Sequence, residues 1–448
     1  MPRLMSLMND VVYASAAAAT SPLWAYRLLR TGKWRTDWAG RFGRCDVAAD
    51  DPRPTLLLHA VSLGEVNAIR LLVSQLEQQH GDALRIVIAT TTDTGAARAE
   101  AIFGERHTVV RYPLDFTRCV KRFLDVVQPT AVALVELEVW PNFVAECERR
   151  GVPVVVINGR LSARSYGRYR LIRRLIRPTF ARLAAAAVQN ETYGRHFVGL
   201  GLREDRLHIT GTMKWDNAVL ADDEPSSASL ARSMGIDAER PLIVCGSTGP
   251  DEERMLVEQL ATLRLPPDNQ PPQILIAPRK PERFDHVAAE LTTRFSAQLG
   301  PVVRRSQHPD ESVGEGGATV FLLDTLGELR AAYALADLAV VGRSFCPMHG
   351  SDMSDPIALG KPTVIGPHVG DFRDMMDDLL AVDAIEQLSD VEGLPAAVGK
   401  LLRTDIGREL AERGRAVIRS KQGATQRNVA LLETWLDRAA KTVPTSSS

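Results

Sequence analysis

Glu65 ends the stretch Leu56-Leu57-Leu58-His59-Ala60-Val61-Ser62-Leu63-Gly64-Glu65, in which an apolar run stops at a glycine turn and a carboxylate opens the helical pattern that follows. In a parallel sheet that turn lies at the carboxyl end of a strand, where open α/β folds bind their ligands. A carboxylate there suits a general base, although the helix dipole also favours an acid in any first turn. A second acidic group lies in Val135-Glu136-Leu137-Glu138-Val139-Trp140-Pro141-Asn142. Glu136 and Glu138 are two residues apart and so on one side of a strand. Burying unpaired charge is costly, so packing does not explain acids at the end of an apolar run. They mark a site.

The later half of the chain carries groups suited to anions. Ser247-Thr248-Gly249-Pro250-Asp251-Glu252-Glu253 follows an apolar run and opens a helix. Free amides at such a helix start can meet a phosphate, and ordinary capping explains the same residues. Arg279, in Ala277-Pro278-Arg279-Lys280-Pro281, stands at another strand end, where its rigid fork can grip a phosphate or carboxylate. In Asp324-Thr325-Leu326-Gly327-Glu328-Leu329 a glycine turn exposes backbone that can read a nucleobase edge, with a helix cap as the alternative. Asp355, in His349-Gly350-Ser351-Asp352-Met353-Ser354-Asp355-Pro356, can accept hydrogen bonds from vicinal ribose hydroxyls or cap its helix. Arg160, Arg164, Arg168, Arg170, Arg173, Arg174, Arg177 and Arg182 lie in a segment with no acid between Gly159 and Asn190. Phosphates or anionic lipid headgroups fit such a segment, and a solvated helix face is the plainer alternative. The chain lacks the GxGxxG fingerprint and the Walker lysine, which disfavours a simple NAD enzyme or NTPase. No pair of His and carboxylate residues has convincing metal-ligand spacing.

These residues need a scaffold, and the chain is long enough for two. A length of 448 residues predicts two domains, and 45% hydrophobic with 24% charged residues is the composition of a folded globular protein. A net charge of −1 gives no general attraction for nucleic acid. Five scattered cysteines in no CxxC pair argue against a disulfide framework or structural zinc and suit a reducing cytoplasm. Apolar runs alternate with helical patterns from Leu56 to Thr212 and again from Pro241, which predicts two α/β, Rossmann-like domains facing each other across a cleft. The expected boundaries are a membrane-associating amphipathic segment over 1–45, a first domain over 46–215, a linker over 216–240, a second domain over 241–415, a C-terminal helix over 416–440 that packs back on the first domain, and a disordered tail over 441–448. In the N-terminal segment Trp24, Tyr26, Trp34 and Trp38 interleave with Arg27, Arg30, Lys33, Arg35, Arg41 and Arg44. That mixture suits an interface with anionic lipid, and a helix packed on its own domain is the alternative.

With its motifs in this order, the chain resembles the 3-deoxy-D-manno-octulosonic acid (Kdo) transferases, membrane-associated GT-B glycosyltransferases. The resemblance runs from Tyr26-Arg27-Leu28-Leu29 and Arg41-Phe42-Gly43 through the motifs at Glu65, Thr90-Thr91-Thr92 and Glu136, then Asn158-Gly159-Arg160-Leu161-Ser162, Thr210-Gly211-Thr212-Met213-Lys214, Gly246-Ser247-Thr248, Ala277-Pro278-Arg279 and Asp324 to Leu329, to Gly366-Pro367-His368. It implies an inverting, metal-independent transfer of Kdo from CMP-Kdo, a substrate and no cofactor, to a lipid A precursor in lipopolysaccharide core biosynthesis. Glu65 then matches the catalytic base, and Ser62, Gly64, Glu136, Glu138 and Arg160 fall on the acceptor side. Donor binding falls to Ser247, Thr248, Gly249, Arg279, Leu326, Gly327, Glu328, Asp352 and Asp355. The implied location is the cytoplasmic face of the bacterial inner membrane, held peripherally or by a single N-terminal anchor, with no nucleic-acid partner. One motif departs: where the family reads Gly-Gly-His-Asn, two residues and Glu-Pro, this chain has His349-Gly350-Ser351-Asp352-Met353-Ser354-Asp355-Pro356. That departure admits a related transferase with another donor or acceptor. A catalytically silent GT-B lipid-binding protein is the alternative from another class.

Overall fold

The computed structural model describes residues 9–15, 18–21, 36–47, 51–263, 270–308 and 318–442. The chain divides into two compact units, one of Met1–Asn217 with Lys421–Ser448 and the other of Ala218–Ser420.

The first unit is a seven-stranded sheet made of β1 (Thr55–His59), β2 (Arg85–Thr90), β3 (Thr108–Arg111), β4 (Ala131–Val135), β5 (Val154–Gly159), β6 (Ala185–Val188) and β7 (Leu207–Ile209). All neighbours are parallel, in the order β3-β2-β1-β4-β5-β6-β7. Parallel strands need both faces covered, which is why β1, β2, β4 and β5 are buried along their whole length. Alternate residues feed two cores: Leu57, Val132, Leu134 and Val156 pack on one face, and Leu56, Leu58, Ala133, Val135 and Ile157 on the other. The C-terminal helix Ala424–Thr442 adds Val429, Leu432 and Leu436 to the second of these. The Asp216 carboxylate accepts from the amides of Gly423 and Thr425 and so fixes the start of that helix.

The second unit repeats the plan with β8 (Leu242–Thr248), β9 (Gln273–Pro278), β10 (Val302–Arg304), β11 (Val320–Leu322), β12 (Leu338–Val341), β13 (Thr363–Ile365) and β14 (Glu386–Gln387), in the order β10-β11-β9-β8-β12-β13-β14. Its two cores are split by the same alternation, with Ile243 and Cys245 on one face and Leu242 and Val244 on the other.

Several boundaries differ from expectation. The predicted linker 216–240 does not exist as one: Trp215 to Asn217 finish the first unit, and the helix Ser227–Met234 belongs to the second. Leu230 and Met234 are buried beside Leu242, Val244 and Leu275, so apolar packing overrides the turn-rich composition. The second unit runs on to Ser420 rather than ending at 415. The C-terminal helix expected over 416–440 falls in two helices, Asp405–Lys421 and Ala424–Thr442, broken at Gly423 with φ 92°. Lys441 and Thr442, expected in the tail, continue the helix, and the rest of the tail lies outside the described residues.

Most of the amphipathic segment, 1–8, 16–17 and 22–35, lies outside the described residues. Where it is described, it is tied to the first unit. Asn9 donates to Asn142 Oδ1, Asp10 accepts from the Thr117 amide and Asn142 Nδ2, and the Tyr13 hydroxyl donates to Asp115. No helix among the described residues is long and apolar enough to cross a membrane.

Candidate active site

In the first unit the candidate residues lie on the carboxyl rim of β1, β4 and β5, which are neighbours in the sheet. After β1 the Ser62 backbone is extended (φ −119°, ψ 165°), and its hydroxyl caps the helix Leu63–Ala68 by accepting from the Glu65 amide. The same turn folds the Glu65 side chain back on itself. One carboxylate oxygen accepts from the Val61 amide at 2.9 Å and the other from the Ser62 hydroxyl at 2.9 Å. The turn is clamped from the end of β2. The Thr92 hydroxyl donates to the Val61 carbonyl at 2.9 Å, and Gly95 comes so close that a Cβ there would lie 2.8 Å from that oxygen. Gly64 is exposed, and a Cβ on it would meet only Ser62 Oγ, at 3.9 Å.

Burial drives the Glu65 pKa up to about 7, against the two hydrogen bonds that favour its charged form, with the Glu136 and Glu138 charges adding to the rise. A carboxyl group that titrates near neutrality can take a proton at the working pH and return it.

Glu136 turns the chain at the end of β4 with φ 60°, its amide donating to the Ile157 carbonyl at 3.0 Å. Glu138 accepts from Trp140 Nε1 at 2.9 Å and faces His59 Nε2 at 3.8 Å, an ionic contact longer than a hydrogen bond. Burial opposes ionisation of Glu138, but His59 and Trp140 outweigh it and hold its pKa below the usual range. His59 is fully buried, stacked on Tyr112 at 3.6 Å, with Nδ1 against the Ala89 carbonyl at 3.0 Å. That carbonyl fixes the ring so that Nε2 is turned to Glu138. Arg160 follows β5 and is half-buried. Glu65, Glu136, Glu138 and Arg160 therefore share one rim, as their strand ends required. His59 was missing from the expected set, and its signal was a histidine inside an apolar strand.

The second unit holds the other expected residues at strand ends of its own. Ser247 has φ 56°, and the next two residues are already engaged: the Thr248 hydroxyl donates to Glu253 at 2.8 Å and the Gly249 amide to Glu252 at 2.6 Å. Glu252 and Glu253 are fully buried, and Arg283 pairs with Glu253 through two nitrogens at 2.7 and 2.9 Å. The anion cradle expected at Ser247 to Gly249 is thus largely filled by the chain's own carboxylates. Arg279 is exposed, and its guanidinium has no partner among the described residues. In the Asp324 turn, Leu326 is 72% exposed and Gly327 has φ 90°, whereas the Glu328 carboxylate is held by Arg305 and Thr325. Asp352 accepts from the Ser354 amide at 2.9 Å in the turn that leads into the helix Ser354–Ala358. Asp355 gives one oxygen to Arg330 at 2.9 Å; burial first and then Asp352 raise its pKa against that ion pair. No group of three or more metal-type side chains occurs among the described residues.

Residues 36–217 match the family model described as 3-deoxy-D-manno-octulosonic-acid transferase (kdotransferase). The 3-deoxy-D-manno-octulosonic acid transferase of Haemophilus influenzae is 32% identical over 417 residues, covering 92% of this chain and 94% of that protein. The protein of the same name from Bordetella pertussis is 32% identical over 444 residues, 96% of this chain and 100% of its own length. Among solved structures, a glycosyltransferase from Rickettsia africae superposes with a TM-score of 0.53 at 12% identity, over 88% of this chain and all of that one, a likeness of fold.

Proposed function

The chain belongs to the 3-deoxy-D-manno-octulosonic acid (Kdo) transferase family, a family of glycosyltransferases, and we propose that it moves Kdo from CMP-Kdo to a lipid A precursor with inversion and without a metal. The observation that carries the mechanism is Glu65, a carboxylate at the end of β1 whose pKa burial places at about 7. An acceptor hydroxyl gives its proton to Glu65 as its oxygen attacks the anomeric carbon. The bond to the donor phosphate breaks, and CMP departs with the electron pair. Inversion follows from attack opposite the leaving group.

Ser62 tunes the base through its hydrogen bond, and Gly64 leaves the approach to it open. Glu136, Glu138 and Arg160 orient the acceptor, with Glu138 kept charged by His59 and Trp140. On the donor side Arg279 meets the phosphate, and the exposed turn at Leu326 and Gly327 receives the cytosine. Glu328 is the brace of that turn, since its carboxylate is already taken. Asp355 offers the ribose its remaining oxygen, and Asp352 holds the turn before it by accepting from the Ser354 amide.

A membrane-bound acceptor calls for a membrane contact. The helices Ala163–Leu171 and Arg173–Ala181 follow β5, and the break between them at Ile172 exposes Leu171 (85%), Ile172 (48%) and Leu175 (39%) among Arg168, Arg170, Arg173 and Arg174. Apolar residues ringed by arginines suit an anionic bilayer surface. Together with the N-terminal segment, this helix pair would hold the protein on the cytoplasmic face of the inner membrane.

The test is incubation of the full chain with CMP-Kdo and a lipid A precursor, in the presence and absence of EDTA. The expected result is CMP release and a product heavier by Kdo, unchanged by the chelator. Turnover with a UDP-sugar and none with CMP-Kdo would overturn the donor assignment.

A further inference from the structure

Arg343 stands at the carboxyl end of β12 with φ 56°, a left-handed conformation that favours glycine over a long side chain. Such an outlier persists where its surroundings enforce it, and it is a reason to look for a function. The enforcement is visible. Glu252, fully buried, accepts from the amides of Gly249 at 2.6 Å, Arg343 at 2.5 Å and Phe345 at 2.7 Å, and the Arg343 carbonyl accepts from the Gly350 amide at 2.8 Å. One internal carboxylate therefore ties the turn after β8 to the turn after β12.

The Arg343 side chain lies over the first of these turns. Its Cγ is 3.3 Å from where a Cβ on Gly249 would stand, so the side chain packs close against that turn. Nη2 donates to the Met348 carbonyl at 3.0 Å, while Nε is buried without a hydrogen-bond partner. The guanidinium is anchored by one nitrogen beside the turn where an anion was expected.

The groups of that turn are already engaged: Glu252 has the Gly249 amide and Glu253 the Thr248 hydroxyl, and since Arg283 pairs with Glu253 alone, the Glu252 carboxylate is left to repel a phosphate. Positive charge must come from side chains. The strand order β9-β8-β12 supplies two, since Arg279 follows β9 on one flank of the turn and Arg343 follows β12 on the other. We propose that Arg343 is the second cation of the donor site, gripping an oxyanion of the nucleotide sugar together with Arg279, and that Glu252 is the strut that holds its backbone in place. The proposal rests on the donor reading above. The oxyanion is the phosphate or the sugar carboxylate.

The experiment is calorimetric titration of the full chain with CMP and with cytidine, for the unaltered protein, Arg343→Gly and Arg343→Lys, alongside Tm and the KM for CMP-Kdo. Arg343→Gly is expected to lose about tenfold or more in CMP affinity, to keep its cytidine affinity, and to melt higher because glycine relaxes at that φ. Arg343→Lys is expected to recover part of the CMP affinity. If the oxyanion is the sugar carboxylate, CMP affinity stays and the KM for CMP-Kdo rises about tenfold. Unchanged CMP affinity together with unchanged KM in Arg343→Gly overturns the proposal, as does equal loss for CMP and cytidine. An unaltered protein that binds no CMP overturns the donor reading instead.

Discussion

Glu65 is governed by a balance that single substitutions can move. Ser62 donates a hydrogen bond to its charged form and also caps the helix that carries it. Ser62→Ala is therefore expected to shift the acidic limb of the pH-rate profile upward and to cost about 1 kcal/mol of stability, read by urea unfolding. The linkage sign follows from the direction of the shift. Burial raises the Glu65 pKa from 4.5 to about 7, so the folded state binds more protons than the unfolded state between those values. Stability from this group is lost as pH rises through that window. Glu65→Gln removes the titration, so the unaltered protein should lose stability relative to the variant between pH 5 and pH 8, with no further change above. At this scale the sequence disclosed the carboxylates, because acids in apolar runs demand a reason. It did not disclose which partners saturate them. That His59 faces Glu138, or that Glu252 has taken the Arg343 amide, depends on contacts between residues far apart in the chain.

At the scale of elements, the strongly apolar parallel strands were readable because burial on both faces leaves nearly continuous Val, Ile, Leu and Ala runs. The edge strands β10 and β14 were not. They are two or three residues long, half-buried, and contain Arg304, Glu386 and Gln387. The segment 216–240 misled for the opposite reason: its Asp, Pro and Ser residues look like a linker, while Leu230 and Met234 are core. The C-terminal helix matters to the rim through Asn428, which accepts from the Asn158 amide just before Arg160 and donates to Thr210. Leu432→Ala would leave a cavity in the core that also contains Leu58 and Val135. It is expected to destabilise the protein by about 2–5 kcal/mol, seen as a lower urea midpoint.

Over the whole molecule, a net charge of −1 hides a strong local asymmetry. Arg168, Arg170, Arg173 and Arg174 are exposed around an apolar bend, and none has an ion-pair partner among the described residues. Composition pointed to the N-terminus as the membrane contact, and the arginine run was readable as well, but the exposure of Leu171 follows only from how the two helices pack on the first unit. Replacing Leu171 and Ile172 with Glu is expected to abolish co-sedimentation with anionic vesicles while leaving transfer to a detergent-dispersed acceptor unchanged. Binding by the unaltered protein should weaken with added salt, since its electrostatic part is screened.

The central claim is that Glu65 takes the proton from the acceptor. It is tested most directly by measuring CMP release from CMP-Kdo with a lipid A precursor across pH 5 to 9, for the unaltered protein and Glu65→Gln, with CMP affinity measured beside it. The expected result is a rate that rises with pH through an apparent pKa of about 7 and falls by about 10²- to 10⁴-fold in the variant at unchanged CMP affinity. Equal rates and equal pH profiles in the two proteins would contradict it.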